Sequence, residues 1–356
     1  MENLTIENTT KRSENLKQAW NGIKKAKPHI RIREAANALD CSEAELVATT
    51  VGETAIRLEG DWQKLMKRLP TLGYVMSLTR NESCVLEHKG EFEKVNTFGK
   101  EDHAMATVIG SIETRVFFKA WHVGFAIKQE TPRGLMQSIQ IFDQSGTAVT
   151  KIFLQPKSDQ EAFDQLVLDF KSENQSQEQL VTFPESIFYR TIGQVDKEGL
   201  LSEWRTLKDT HDFFGMLRRY EVNRRDALEL AKGEFTYQVA KASVQTILEQ
   251  ASGEKLPIMI FVGNKGNIQI HQSTVNKIKV MDHWLNVLDP EFNMHLREDH
   301  IDTAWVVEKP TEDGPVTSLE LFDKDKNQIA SFFGLRKPGQ TELTTWRALL
   351  EKLPKL

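Results

Sequence analysis

The chain has 356 residues, 39% hydrophobic and 27% charged, the makeup of an ordinary globular protein with room for two cores. Its net charge of -5, with both signs interspersed, gives no broad cationic field and argues against a regulatory or nucleic-acid-binding module. Cys41 and Cys84 are the only cysteines, and their spacing supports neither a disulfide framework nor a zinc site.

The N-terminus, MENLTIENTTKRSENLK, is polar and lacks the apolar core of a signal peptide. The most apolar run, residues 256–262, is too short to cross a bilayer, so a cytoplasmic protein without membrane insertion is expected. Apolar spacing predicts helices over residues 14–26, after Ser42 and over 61–69; Ser42 followed by Glu45 reads as a capping box. Alternation then predicts antiparallel strands over 73–78, 84–87, 114–118, 121–127, 136–142 and 148–153, with a hairpin turn at residues 143–146 and a closing helix over 159–170. The same order recurs. Helices are expected around Trp204 and His211 and over 226–249, strands over 258–262, 267–270, 292–296, 304–308, 317–322 and 329–333, and a last helix over 342–352.

Adding 180 carries Asp102-His103 onto Asp282-His283, Gly134 onto Gly314, Ser138 onto Ser318, Phe142-Asp143 onto Phe322-Asp323 and Phe153 onto Phe333. Upstream the offset drifts to 183 for Asn81 and Asn264 or His88 and His271, and to 184 for Trp20 and Trp204. The expected fold class is therefore α+β: a tandem duplication of a helix-then-antiparallel-sheet unit, with large antiparallel sheets flanked by helices. Residues 1–170 form the first repeat, the polar stretch 171–195 a linker, and 196–356 the second repeat.

Residues 200–225, LLSEWRTLKDTHDFFGMLRRYEVNRR, concentrate the chemistry. Trp204, Leu207, His211, Phe214 and Leu217 recur at helical steps, so His211 is expected to face inward and to meet a hydrogen-bond acceptor, a metal or a cofactor. A core histidine bonded to a carbonyl is the plainer alternative. Under the repeat offsets His211 falls opposite Lys27, and Arg115 opposite His295; a site using His211 and Arg115 would draw one residue from each half. The remaining histidines show no ligand spacing, which speaks against a separate metal centre.

Four separated stretches carry a resemblance: LTRNESCV from Leu78, ETRVFFKAWHVGFA from Glu113, the helix around His211 through NRRDAL from Asn223, and IDTAWVVEKPTEDGPVTSLELFDKDKNQIASFFGLR from Ile301. Over nearly its whole length the chain resembles the HemS/ChuS/PhuS family of bacterial cytoplasmic haem-utilisation proteins, the hemin-degrading factors, themselves tandem repeats. The resemblance implies a haem b held between the halves, with His211 as axial ligand to the iron, Arg115 on the opposite face, and Arg224, Lys309 and Arg336 meeting the propionates. Phe117, Phe214 and Phe261 are candidate apolar walls. Where the family pattern has glutamine and tyrosine near the end, this chain has Ser331 and Phe333.

These residue types suit the ligand. A neutral imidazole is a good fifth ligand for haem iron, better when its other nitrogen donates a hydrogen bond, and propionates call for charge-assisted bonds. Arg115 keeps its charge at any working pH and could act catalytically on the distal side. The resemblance implies haem uptake and iron acquisition, with reductant-dependent haem degradation releasing iron. The alternative is a non-catalytic chaperone that delivers haem to a haem oxygenase. Partners would be a haem oxygenase or a reductase and the cytoplasmic side of a haem importer. No nucleotide fingerprint marks a bound electron donor, so a reductant would be external.

Overall fold

A computed structural model describes residues 2–132, 134–185, 187–336 and 339–356, with side chains from residue 11 onward. The chain divides into two compact units. The first comprises residues 1–79, 88–185 and 264–268, the second residues 80–87, 186–263 and 269–356. Among the described residues no helix is long and apolar enough to cross a membrane.

In the first repeat the elements are α1 (Glu2–Ala26), α2 (Ile32–Ala38), α3 (Glu43–Ala48), β1 (Ala55–Leu58), α4 (Trp62–Arg68), β2 (Gly73–Arg80), β3 (Cys84–Gly90), β4 (Lys94–Phe98), β5 (Met105–Ile109), β6 (Glu113–Phe117), β7 (Val123–Thr131), β8 (Gly134–Phe142), β9 (Ala148–Ser158) and α5 (Gln160–Phe170). The second repeat has α6 (Lys197–Trp204), α7 (Asp212–Arg219), α8 (Arg224–Leu230), β10 (Thr236–Val239), α9 (Ser243–Gly253), β11 (Ile258–Gly263), β12 (Asn267–Ser273), β13 (Ile278–Met281), β14 (Trp284–Leu288), β15 (Phe292–Arg297), β16 (Thr303–Lys309), β17 (Val316–Phe322), β18 (Gln328–Gly334) and α10 (Thr344–Glu351). The fold is α+β, with large antiparallel sheets flanked by helices.

The units repeat one topology. The first contains the run β1-β7-β8-β9-β2 and the second the run β10-β16-β17-β18-β11, and the described strand pairs are antiparallel. Matching positions do matching work. Asp143 Oδ1 accepts the backbone N–H of Ser145 and Thr147 and closes the turn between β8 and β9; Asp323 does the same for Asp325 and Asn327 between β17 and β18. Asn81 Nδ2 donates to the carbonyl of Ile329 in the second unit, and Asn264 Nδ2 to that of Val149 in the first. Residues 80–87 thus belong to the second unit and 264–268 to the first, a membership that division along the sequence misses. A larger residue at Gly266 would force Val149 to shift, because an added Cβ would lie 2.6 Å from Val149 Cγ1.

Local rules account for the ends of most elements. Ser42 and Glu45 form the predicted capping box on α3, and Asp61, Asp159 and Asn223 cap α4, α5 and α8. The single helix expected over 226–249 is interrupted. Gly233, at φ +90°, ends the turn after α8 and lets the chain enter β10 before α9. The expected linker is not loose at its start: Arg57, buried in the first unit, donates to the carbonyls of Ser176 and Glu178 and to Gln179 Oε1, while Gln175 Nε2 bonds the carbonyl of Arg57. Burial desolvates Arg57, and those bonds offset part of the cost of burying its charge.

In the second unit His271 lies buried against Phe292, ring centroids 3.7 Å apart, and burial pushes its pKa from 6.5 down to about 4. The unfolded chain holds the extra proton between those values. Stability is therefore expected to fall as pH drops through 6.5 toward about 4, and then to level off in this contribution. Denaturant midpoints measured across that window should slope less in His271→Phe than in the parent; parallel slopes would refute the assignment.

Candidate haem site

The site residues of the second unit lie at the start of α7 (His211), the start of α8 (Arg224), the end of β16 (Lys309) and just after β18 (Arg336). His211 is the N-cap of α7, where α6 has already ended at Trp204. The helical spacing that suggested an inward histidine spans this break. On α7 the buried positions are Phe213, Met216 and Leu217, packed with Trp204, Trp305 and Phe322, while His211, Phe214 and Arg218 lie on the other face. The expectation that His211 points inward is corrected: its side chain is 91% exposed, and Phe214, one turn on, is 64% exposed.

Asp209 marks the turn into α7. Its Oδ1 accepts the backbone N–H of His211 at 2.8 Å, a local bond that competes with continuing the helix. The same oxygen lies 2.5 Å from His211 Nδ1. With the proton on Nδ1 the ring donates to Asp209 and leaves Nε2 as an acceptor. These bonds from His211, together with the nearby Arg336 cation, hold the Asp209 carboxyl below the usual range. Sequence reasoning found His211 but missed Asp209, whose signal is the Asp-x-His spacing just before a helix start.

Arg224 and Lys309 cluster around the Glu320 carboxylate. Glu320 accepts from Arg224 Nε at 2.7 Å and Nη2 at 2.6 Å, from Lys309 Nζ at 3.1 Å, and from Ser318 and Gln328. Lys309 Nζ lies 4.8 Å from the ring centre of Phe213 and 5.8 Å from that of Phe333, and Phe333 packs edge-on against Phe261. Burial lowers the Lys309 pKa to about 8, while Arg224 and Lys309 hold Glu320 far below the carboxylate range against its own desolvation. Lys309, expected at a propionate, is instead 3% exposed and bound to Glu320. The inward side of β16 and the Glu320 carboxylate on β17 account for that difference. Two cations against one anion still leave one positive charge, and Arg224, with 24% of its side chain exposed, is the partner that faces outward. Phe333 supplies a ring face to Lys309 where the family pattern has tyrosine, and Ser331 accepts from Gln328. Arg336 Nη1 is buried with no hydrogen-bond acceptor among the described residues.

In the first unit Arg115 projects from β6, 31% exposed, paired with Glu113 at 2.9 Å and near the carbonyls of Val108 and Thr114. Phe117, at the end of the same strand, is partly buried. Lys27 is exposed after α1. His295, on β15 in the second unit, meets Asn286 Oδ1 at 2.6 Å.

The donor set of the second unit fits a porphyrin. An imidazole is fixed by one nitrogen with the other open, an apolar ring stands beside it, and Arg224 and the orphaned Nη1 of Arg336 have capacity for carboxylates.

Comparisons with known proteins agree. The Haemin-degrading HemS.ChuX domain matches residues 40–170 and again 221–353. "Hemin transport protein HemS" of Yersinia enterocolitica is 36% identical over 90% of this chain and 92% of its own length. The structure of holo-PhuS, a heme-binding protein from Pseudomonas aeruginosa, superposes with a TM-score of 0.94 at 41% identity, covering 97% of this chain and 99% of that one. The heme degrading enzyme ChuS of Escherichia coli O157:H7 superposes with a TM-score of 0.88 at 33% identity, over 96% and 99%. With both of its halves matched to one domain and near-full-length relatives above 30% identity, the chain belongs to the haemin-degrading HemS/ChuX family.

Proposed function

We propose that this chain is a cytoplasmic haem-binding protein of haem uptake and iron acquisition, with His211 Nε2 as the axial ligand to the iron. The observation that carries the reading is the Asp209-anchored imidazole, open to solvent beside an exposed phenylalanine. An isolated surface histidine needs no such anchor, whereas a ligand gains orientation and donor strength from it. Arg224 and Arg336 take the propionates, and Lys309 acts beneath them by holding the Glu320 carboxylate and setting the local charge. For Arg115, in the other unit, the support is the ETRVFF motif, which carries the expected distal role. Phe261 contributes through the ring of Phe333.

Bound haem supplies the iron and the ring that is opened in degradation, and the protein supplies ligation, orientation and charge. Relatives described as a heme degrading enzyme and as a hemin transport protein stand for the two activities. Degradation with an external reductant is the first reading, and delivery to a haem oxygenase the second. A reductase and a haem importer are the corresponding partner classes.

Titration of the purified chain with hemin is expected to give a saturable Soret band. Ascorbate, with catalase present to remove free peroxide, should then bleach that band and yield a linear tetrapyrrole. A Soret band that survives reductant identifies the carrier, and one that never forms rejects haem binding altogether.

A further inference from the structure

Asp209 does more than hold a ring in place. Its Oδ1 sits 2.5 Å from His211 Nδ1, a charge-assisted distance, and the same oxygen is tied to the His211 backbone N–H at 2.8 Å. The carboxylate and imidazole are thus locked to one another within three residues of chain. A neutral carbonyl in that position would orient the ring equally well. A carboxylate adds negative charge to the nitrogen that donates to it, and the charge passes through the ring to Nε2. Ligand basicity rises, and the more highly charged oxidation state of a metal on Nε2 gains most.

We infer that Asp209 is a positioning residue that makes the site selective for ferric over ferrous haem. The inference rests on the haem reading above and specifies which form of haem the site is built for. Alternatives to the pair are scarce nearby. Asp212 and Phe214 flank His211 on α7, and neither can replace an imidazole. Asp212 Oδ2 instead accepts the backbone N–H of Asp209 at 3.1 Å, so the turn that presents Asp209 is itself fixed. The described bonds of Asp209 Oδ1 are to His211 and Thr210, so the carboxylate is committed to the turn that presents the imidazole. A ferric-selective site holds haem more tightly while it is oxidised, so reduction loosens its grip.

The test uses the full chain loaded with hemin and compares the parent with Asp209→Asn and Asp209→Glu. Asp209 is 55% exposed, so the fold is expected to survive, and circular dichroism checks it. In Asp209→Asn, hemin affinity should fall about 10- to 100-fold while ferrous haem affinity changes less. Each tenfold loss of that preference equals a rise of about 59 mV in the reduction potential of the bound haem. The iron–histidine stretch of the ferrous form should move to lower frequency, a signature that loss of packing alone does not produce, and Asp209→Glu should restore part of both. An unchanged potential and stretch in Asp209→Asn, with hemin still bound through His211, overturns the inference and leaves the haem reading intact. Hemin binding that ignores His211→Ala overturns both.

Discussion

Hemin affinity is expected to fall by more than about 100-fold in His211→Ala, because the loss of a ligand should exceed the 10- to 100-fold that loss of its supporting hydrogen bond costs. The variant separates binding from folding unusually well. The His211 side chain is 91% exposed and its backbone bond to Asp209 survives the substitution, so stability should move by no more than about 0.5 kcal/mol. Two other histidines of the second unit are already engaged. His271 is buried against Phe292, and His300 Nδ1 meets Ser83 Oγ at 3.1 Å. The measurement is a Soret titration of parent and variant at matched protein concentration, with denaturation curves as the control. Identical titrations would remove His211 from the ligand role, and with it the assignment of the exposed α7 face as a haem surface.

What sequence could and could not reveal divides along physical lines. Strands with long alternation or continuous apolar character, such as β7, β8, β9, β16, β17 and β18, were legible within a few residues because both their faces or one face must be buried. The missed strands are short or half-exposed. Lys94–Phe98 shows solvent at every second position and Ile278–Met281 is exposed along most of its length, so neither carries an apolar signal. β10 was hidden in a run of good helix formers, and only Gly233 marked the change. The duplication was legible from sparse identities at a fixed offset. The hairpin tips at residues 80–87 and 264–268 were not assigned to their units, because unit membership depends on long-range hydrogen bonds rather than on local pattern.

The same division runs through the site. His211 stood out as a residue type in an amphipathic stretch, but its exposure follows from an Asx bond two residues upstream that periodicity does not register. Arg224 and Lys309 are expected, from the resemblance, at the propionates. Their shared acceptor, Glu320, lies 96 residues from Arg224, a pairing that no local rule supplies. A buried carboxylate with two cations is visible only once strands β16 and β17 and the start of α8 are brought together.

Replacing that carboxylate should give a large stability change in the second unit. In Glu320→Ala, Arg224 and Lys309 lose their common anion, and Lys309 has no water to turn to at 3% exposure. Removing one partner of a buried ion pair costs about 3–5 kcal/mol, most of it the price of the charge left behind. Lys309 can escape part of that cost by releasing its proton, since burial already lowers its pKa to about 8, and loss of Glu320 removes the group that raises it. The pH dependence carries the sign. In the parent, Glu320 is held ionised far below its ordinary 4.5, so its contribution is fully present above that value and is lost as pH falls. Lys309 works the other way: between about 8 and 10.5 the unfolded chain holds more protons, so stability from this group rises with pH. Glu320→Ala should therefore flatten the acid limb of the stability profile and shift the Lys309 limb to lower pH, with Lys309→Met in the same background recovering part of the lost stability. Denaturant unfolding at a series of pH values reads all three effects. A variant as stable as the parent, with the same acid limb, would mean that Arg224 and Lys309 do not depend on Glu320, and that both cations are free for a ligand after all.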